Sequence, residues 1–318
     1  MKKLSLLVAV LLSLVSFNAG AATISVNQFV EHPALDAILK GFQDYLKEQG
    51  VEVEYNVHNA QANMGTATQI GQQMIGEKAD LLLAIATPSA QATAQAVNKA
   101  PENMKRPFLF TAVTDPVAAG LVKDLQHPPK GITGVSDLLP IEQHIKMVLS
   151  YGGNIKRLGL LYNSGEANSK STIVRVKALR EKLGFTTVEA TASKTADVYQ
   201  AAKSLVGRVD AIFIPTDNTI VSALESVIKV GVQNKLPVFA ADVDSVKRGA
   251  VAAMGFDYYK HGYQTGAVAE RILNGEKPEN IPVSFQKDLQ LHINAVFSEK
   301  MGLTPSAEFL KKATKVYK

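Results

Sequence analysis

The chain of 318 residues contains no cysteine and no tryptophan. Without cysteine it can form neither a disulfide bond nor a thiol nucleophile, so its stability must come from burial of apolar side chains. Its length is sufficient for two hydrophobic cores of ordinary size. The absence of cysteine also excludes a lipid-modified cysteine behind a signal peptide, and we therefore do not expect a lipoprotein.

An excess of charge of either sign is also missing. The formal net charge is +5, and it is +3 when Lys2 and Lys3 are left out. The basic residues are scattered, and no cluster of them alternates with aromatic residues as on nucleic-acid-binding surfaces. We therefore expect no nucleic-acid partner.

Only one long apolar run is present, and it lies at the start of the chain. Two lysines precede the apolar residues 4–17, and Ala19 and Ala21 follow at the Ala-x-Ala spacing. This order is typical of a secretory signal peptide that is cut after Ala21. The run is shorter than the roughly 20 residues of a membrane-spanning helix. We therefore assign residues 1–21 to a signal peptide and expect the mature protein in the periplasm.

Linear motifs of catalysis and metal binding are absent as well. The chain has no His-Glu-x-x-His sequence and no glycine-rich phosphate loop, and its six histidines lack the spacing of metal ligands. Ser136 and Ser164 lack the flanking glycines of a Gly-x-Ser-x-Gly elbow. The sequence therefore predicts a protein that is not an enzyme and that needs neither a metal nor a cofactor.

What the sequence does contain is a regular alternation of strand-like and helix-like segments. Residues 79–86 and 108–113 have the composition of buried strands, whereas apolar residues recur at helical spacing in 34–49. Such alternation predicts parallel α/β layers. Four β-α units precede the proline-rich connection 128–131, and a second series starts near residue 141. Two similar α/β lobes are therefore the predicted architecture.

Two of the predicted strands end in the same polar pair. The strand at 108–113 stops at Thr114 and Asp115, and Pro116 is suited to the first position of a short helix. A second apolar strand, 211–214, is followed by Thr216 and Asp217. Ligands of open α/β sheets bind at the carboxyl ends of strands. Two such turns facing each other would therefore form a binding cleft.

Polar turns follow six of the predicted strands. They are Glu31-His32, Thr87-Pro88-Ser89, Thr114-Asp115, Asn163-Ser164-Gly165-Glu166, Thr216-Asp217-Asn218 and Asp242-Val243-Asp244. Each turn by itself fits a helix N-cap. As a set, however, they would place free N–H groups and helix dipoles beside an anion, and an aspartate beside an ammonium group. The set therefore predicts a site for a zwitterion.

Aromatic residues near the strand ends are candidates for stacking against a flat ligand, although each also fits a core or lobe-interface position. They are Phe29, Tyr162, Phe256, Tyr258 and Tyr259. His32, which precedes Pro33 at a strand end, fits either a ligand contact or a structural role in its own loop.

Several short motifs occur in an order that resembles a known family. They are His32-Pro33-Ala34-Leu35-Asp36, Ala86-Thr87-Pro88, Phe110 to Pro116, Gly131 to Ser136, Glu166-Ala167-Asn168-Ser169, Pro215-Thr216-Asp217-Asn218 and Val246 to Ala250. Together they resemble the ABC transporter substrate-binding family whose described members bind tryptophan and related aromatic amino acids. The resemblance extends from Ile24 to about Leu303.

The resemblance implies a type I periplasmic-binding fold, in which two Rossmann-like lobes with parallel sheets are joined by a hinge of three crossings. We assign residues 22–138 and 256–283 to the N-terminal lobe, and residues 139–255 and 284–318 to the C-terminal lobe. The implied ligand is a small amino acid, and the implied partners are an inner-membrane permease and its ATPase. We expect the binding protein itself to be a monomer.

Similarity to amino-acid receptors of this fold also implies roles for single residues. The turns at Thr87–Ser89 and Thr114 would hold the ligand's carboxylate and part of its ammonium group, and Asp217 would complete the ammonium site. The predicted ligand-binding residues are Phe29, His32, Thr87, Pro88, Ser89, Thr114, Asp115, Tyr162, Ser164, Asn168, Asp217, Asn218 and Asp242. A receptor that signals through a membrane partner would use the same cleft and is the alternative function.

Overall fold

The computed structural model describes residues 21–318. The predicted signal peptide, except for its last residue, lies outside the described residues. Within residues 21–318, no helix has both the length and the apolar character needed to cross a membrane.

The described chain alternates between strands and helices along almost its whole length. The strands are β1 Ala22–Gln28, β2 Val53–Asn59, β3 Leu81–Ile85, β4 Phe108–Thr111, β5 Ile132–Ser136, β6 Arg157–Tyr162, β7 Thr186–Thr191, β8 Ala211–Ile214, β9 Val238–Ala240, β10 Ala252–Gly255, β11 Ser284–Phe285, β12 Gln290–Asn294 and β13 Lys315–Tyr317. The helices are α1 Pro33–Glu48, α2 Met64–Gly76, α3 Thr87–Lys99, α4 Ile141–Ser150, α5 Ala167–Ala178, α6 Arg180–Leu183, α7 Val198–Lys203, α8 Asn218–Ser222, α9 Leu224–Asn234, α10 Asp244–Lys247, α11 Tyr258–Leu273, α12 Ala295–Lys300 and α13 Ala307–Lys312.

The first sheet is parallel, with the strand order β11-β5-β4-β3-β1-β2. The pairs α1/α11 and α2/α3 pack on it, as parallel sheets require helices on both faces. Gly41 of α1 and Gly262 of α11 allow the two helix backbones to approach closely. A Cβ atom at Gly41 would lie 2.1 Å from the Tyr259 carbonyl oxygen, and one at Gly262 would lie 2.0 Å from that of Ile38.

The second lobe contains a parallel sheet and a smaller mixed sheet. The parallel sheet has the order β7-β6-β8-β9, and the other has the order β10-β12-β13. In the smaller sheet β10 and β12 are antiparallel, whereas β12 and β13 are parallel. The sequence analysis predicted neither β11 nor β13, because these strands are only two and three residues long and depend on their pairing partners.

The chain passes three times between two separate hydrophobic cores. Val135 belongs to the first core and Leu139 to the second; Phe256 belongs to the second and Tyr258 to the first; Val283 belongs to the first and Leu291 to the second. The predicted two-lobed α/β fold with three crossings is therefore confirmed. β11 pairs with β5 of the first sheet and extends two residues beyond the predicted bound at 283; the residue bounds of the lobes stay a prediction.

Some predicted helices differ from those observed. Residues 116–120 form a turn and not a helix; the Asp115 carbonyl oxygen accepts a hydrogen bond from the Ala119 N–H, and Asp115 Oδ1 accepts one from the Ala118 N–H. The sequence also predicts one helix over residues 218–230, but this segment is divided at Ala223, whose φ of −114° and ψ of 26° interrupt helical geometry.

The His144→Phe variant should lose less stability in acid than the native protein. His144 is fully buried beside the Phe213 ring, and burial lowers its pKa from 6.5 to about 4, against the backbone carbonyls of Met254 and Ala240. Above pH 6.5 the imidazole of His144 is neutral in both states and does not change the free energy of unfolding. Between pH 6.5 and 4 the unfolded state binds a proton that the folded state does not, so the free energy of unfolding falls by on the order of 3 kcal/mol.

Urea unfolding of both proteins at pH 7 and pH 4.5 measures this difference. Comparison of the two proteins cancels the contributions of all other titrating groups. Identical pH slopes would contradict the assignment to His144.

Candidate ligand-binding site

A cavity lies between the two lobes, at the carboxyl ends of their strands. Its walls come from both hydrophobic cores and from the polar turns that follow the strands. The lining residues are His32, Ala34, Leu35, Ala112, Thr114, Asp137, Asn168, Thr216, Asp217, Asn218, Val221, Asp242 and Tyr258. Apolar and polar side chains thus share one enclosed space, as is usual for small-molecule sites.

The structure brings together six of the predicted site residues at this cavity. They are His32, Thr114, Asn168, Asp217, Asn218 and Asp242. Phe29 and Tyr162 do not line the cavity but belong to the two hydrophobic cores, and the Tyr162 hydroxyl donates a hydrogen bond to Glu189. Ser164 is exposed to solvent. Phe29 and Tyr162 therefore occupy core positions, which the sequence analysis gave as the alternative to ligand stacking.

The predicted turn at Thr87–Ser89 is the first turn of α3, and its residues are buried without lining the cavity. The Ser89 hydroxyl donates a hydrogen bond to Asn27 Oδ1 at 2.9 Å. Thr87 Oγ1, in contrast, is buried without a hydrogen-bond partner in the described part of the chain. Ala86 precedes this turn with a φ of +80°, a strained conformation for a residue with a side chain.

Ala112 and Thr114 bring the end of β4 into the cavity. Ala112 has a φ of +52°, and its N–H donates a hydrogen bond to Nε2 of the buried His261 at 3.2 Å. Thr114 is 2% exposed, and its hydroxyl has no hydrogen-bond partner within residues 21–318. His261 therefore holds a strained backbone that directs the following residues toward the cavity.

Asp137 is the acidic residue that the sequence analysis missed. It lies on the first crossing between the lobes and is 1% exposed. Its Oδ2 accepts a hydrogen bond from the Tyr258 hydroxyl at 2.9 Å, whereas Oδ1 has no partner among the described residues. Burial raises the pKa of this carboxyl above its ordinary value, against the side chains of Tyr258 and Thr114, which favour the charged form. No lysine or arginine of the described chain lines the cavity, so no cationic side chain pairs with Asp137 there.

Asp217 lines the same cavity, but its carboxylate is already occupied. Oδ2 accepts hydrogen bonds from the Asn163 N–H and the Ser169 hydroxyl, both at 2.6 Å. Oδ1 caps α8 by accepting the Ile220 N–H at 2.8 Å. Burial, and then the charge of Glu166, raise the pKa of Asp217. Asp217 is thus a helix N-cap, the role that each polar turn also fits by itself, and its side chain contributes to the cavity wall as well.

Glu166 connects the polar residues of the second lobe. It is 3% exposed and accepts five hydrogen bonds. Oε2 binds the side-chain amides of Asn168 and Asn218 and the Asn218 N–H, and Oε1 binds the N–H and the hydroxyl of Thr219. The sequence analysis placed Glu166 in a polar turn without assigning it this role.

Asp242 and His32 face each other across the two lobes. Asp242 accepts hydrogen bonds from the N–H and the hydroxyl of Ser245 in the short helix α10. Burial lowers the pKa of His32 to about 4, although the charge of Asp242 opposes this shift. The imidazole of His32 is therefore neutral at pH 7.

Four polar atoms on cavity residues lack a hydrogen-bond partner in the described part of the chain. They are His32 Nδ1, Thr114 Oγ1, Asp137 Oδ1 and Asn168 Oδ1. Buried polar groups of folded proteins are nearly always hydrogen-bonded, and leaving one unpaired costs about 1–3 kcal/mol. Their convergence on one cavity therefore indicates a polar ligand that supplies the missing partners.

Asp115, another predicted site residue, lies at the rim and joins the two lobes. The Ser171 hydroxyl of α5 donates a hydrogen bond to Asp115 Oδ2 at 2.7 Å. This contact exists only when the lobes are close together. Asp115 therefore contributes to closure and not to the cavity wall.

Ser171→Ala should weaken ligand binding about fivefold, because the closed form loses one interlobe hydrogen bond worth about 1 kcal/mol. The stability of each lobe should not change, since Ser171 is only partly buried. Titration calorimetry measures the affinity, and small-angle X-ray scattering should detect a larger radius of gyration. Ser164→Ala at the exposed rim is the matched control, and an equal effect of both substitutions would contradict a closing role for Ser171.

The family described as ABC transporter substrate binding protein matches residues 23–317. The chain belongs to this family. A relative named as a tyrosine-binding protein, from Clostridioides difficile, is 38% identical over 275 residues, which cover 85% of this chain and 78% of the relative. A solved structure from Vibrio cholerae, described as a conserved domain protein, is 42% identical with a TM-score of 0.89; the match covers 93% of this substrate-binding protein and 100% of the other chain.

Two further solved structures differ in whether a ligand is bound. One, from Streptococcus pneumoniae, is a complex with L-Trp and matches with 34% identity and a TM-score of 0.88 over 93% of this chain and 100% of its own. The other, a ligand-free and open substrate-binding protein from Clostridium difficile, matches with 36% identity and a TM-score of 0.67 over 93% and 99%.

Proposed function

We propose that this substrate-binding protein captures a zwitterionic aromatic amino acid, tyrosine, tryptophan or phenylalanine, in the cavity between its lobes. The observation that carries this proposal is the buried carboxyl of Asp137, which has no cationic side chain beside it, in a cavity that also has apolar walls. A buried carboxylate is stabilised when a cationic group pairs with it. The tyrosine-binding name of one relative and the L-Trp bound to another support the aromatic class.

In this proposal Asp137 pairs with the ligand's ammonium group, which the sequence analysis assigned to Asp217. Asp137 Oδ1 is available, whereas both oxygens of Asp217 already accept hydrogen bonds. The hydroxyl of Thr114 is the donor for the ligand's carboxylate, and Thr87 at the start of α3 stays a predicted second donor. Asp217 and Asn218 then act by shaping the second-lobe wall.

The apolar part of the cavity suits the ligand's ring. Ala34, Leu35 and Ala112 come from the first lobe, and Val221 comes from the second. The Tyr258 ring also lines the cavity, so it is placed to pack against an aromatic ligand with about 0.5–1.5 kcal/mol beyond area burial. An aliphatic side chain would bury less surface against these walls.

Ligand capture in this proposal is a closure of the two lobes about their three crossings. The ligand contacts both lobes only in the closed form, so it shifts the equilibrium by its differential affinity for that form. The closed form would then deliver the ligand to an inner-membrane permease driven by an ATPase. The predicted signal peptide and periplasmic location fit this role in an importer.

A thermal-shift screen of the twenty amino acids, after native mass spectrometry of the purified protein, tests the ligand class. Tyrosine, tryptophan or phenylalanine should raise the melting temperature, since a ligand that binds only the folded state stabilises it. A shift with another class of molecule and none with these three would contradict the proposal.

Uptake of the labelled amino acid tests the transport role. A strain that lacks the gene should take up the ligand more slowly, and a plasmid copy should restore the rate. Unchanged uptake, with binding intact in the purified protein, would favour the signalling receptor.

A further inference from the structure

His32 and Asp137 both line the cavity, and they follow strands that are not neighbours in the first sheet. His32 follows β1 and Asp137 follows β5, and the sheet order places β3 and β4 between these two strands. Three interstrand spacings of about 4.8 Å separate the two strand ends by roughly 14 Å. Ala112, which follows the intervening β4, lines the cavity between them. A ligand whose ammonium group pairs with Asp137 therefore extends its side chain toward His32.

The imidazole of His32 is buried and incompletely hydrogen-bonded. Its side chain lines the cavity, the residue is 8% exposed, and Nδ1 has no partner within residues 21–318. The charged groups near it are Asp242, which favours the protonated ring, and Arg248, which disfavours it; the Asn218 side chain is also adjacent. A neutral imidazole carries one N–H donor and one acceptor lone pair.

Three aromatic amino acids offer different partners to such a ring. The phenolic hydroxyl of tyrosine both donates and accepts, so it can satisfy Nδ1 in either tautomer of the imidazole. The indole of tryptophan only donates, and it satisfies Nδ1 only when this nitrogen carries the lone pair. Phenylalanine offers neither and would leave Nδ1 buried and unpaired. A site built to hydrogen-bond a ligand hydroxyl rejects the analogue that lacks it.

We infer that His32 determines specificity by hydrogen-bonding a polar atom on the ligand's ring, so that the site prefers a hydroxyphenyl amino acid, accepts an indole and disfavours an unsubstituted phenyl ring. This inference rests on the proposed function, because it requires an aromatic amino acid oriented by Asp137. It assigns to His32 a role that the sequence pattern left open between ligand contact and loop structure.

Titration calorimetry with tyrosine, tryptophan, phenylalanine and 4-fluorophenylalanine tests the inference on the unmodified protein. We expect tyrosine to bind about 10- to 100-fold more tightly than phenylalanine. The fluorinated analogue has similar size at the ring position but donates no hydrogen bond, so it should bind like phenylalanine. Equal affinities for tyrosine and phenylalanine would overturn the role of His32 and leave the proposed function intact. Absence of binding for all four would instead overturn the proposed function and with it the inference.

Two substitutions test whether His32, and not a neighbouring residue, produces the preference for tyrosine over phenylalanine. His32→Leu should reduce the preference for tyrosine over phenylalanine to near unity by lowering tyrosine affinity. His32→Asn should keep part of the preference, because an amide can donate and accept near the position of Nδ1. His144→Phe, a substitution of a buried histidine outside the cavity, is the control and should keep the native ratio. A native ratio in His32→Leu would assign the discrimination to another residue and overturn the inference.

Discussion

Asp137→Asn should weaken binding of the amino acid by about 2–5 kcal/mol, because the ligand's ammonium group would be buried without its charged partner. Asparagine has nearly the shape of aspartate and still presents an oxygen to the Tyr258 hydroxyl, which now donates to Asp137 Oδ2. The loss therefore reports the missing charge and not a collapse of the cavity. Titration calorimetry at pH 7 measures it directly.

The same substitution should leave the ligand-free protein as stable as the native protein, or make it more stable. Burial raises the pKa of Asp137, which means that the folded state disfavours the charged carboxylate at neutral pH. Removing this charge relieves that cost above the folded-state pKa and changes nothing at pH values where both states are protonated. Urea unfolding at pH 7 and pH 3 therefore distinguishes a binding role from a structural one.

Asp217→Asn is the contrasting variant. Its amide would face the Asn163 N–H and the Ser169 hydroxyl, both of which donate to the carboxylate, so we expect loss of stability along with any loss of affinity. If Asp137→Asn bound normally while Asp217→Asn lost binding at full stability, the ammonium partner would be Asp217 as the sequence analysis predicted.

Local patterns were sufficient where an element is defined by its own residues. The sequence predicts strands at 157–162, 211–214 and 238–240, and β6, β8 and β9 have these bounds, because each is a short apolar run between polar residues. The sequence also predicts a helix at 64–76, which are the bounds of α2, and the Asn63 side chain caps this helix by accepting the Thr66 N–H. β11 and β13 could not be predicted, since their pairing partners β5 and β12 are distant in sequence.

The candidate site was predictable in its location but not in its roles. The polar turns after β4, β8 and β9 do converge on the cavity, because carboxyl ends of parallel strands share one edge of a sheet. The role of Asp217, in contrast, depends on donors from Asn163 and Ser169, about fifty residues away in sequence. Asp137 had one usable signal: it is a lone acidic residue in a crossing that is otherwise nearly apolar.

Glu166→Ala should destabilise the protein by about 3–5 kcal/mol, because it leaves a group of buried donors without their acceptor. The donors belong to Asn168, which lies in the first turn of α5, and to Asn218 and Thr219, which lie in the first turn of α8. Glu166→Gln should cost about half as much, since the amide oxygen can replace one carboxylate oxygen while the NH₂ group faces other donors. Urea unfolding at pH 7 measures both values.

Ligand affinity should fall in the Glu166 variants even though Glu166 does not line the cavity. Its carboxylate fixes the side chains of Asn168 and Asn218, and both of these residues do line it. Glu181→Gln, on an exposed part of the same lobe, is the control and should change stability by less than about 0.5 kcal/mol. If Glu166→Ala were as stable as this control and bound ligand normally, the claim that Glu166 fixes Asn168 and Asn218 in the cavity wall would be wrong.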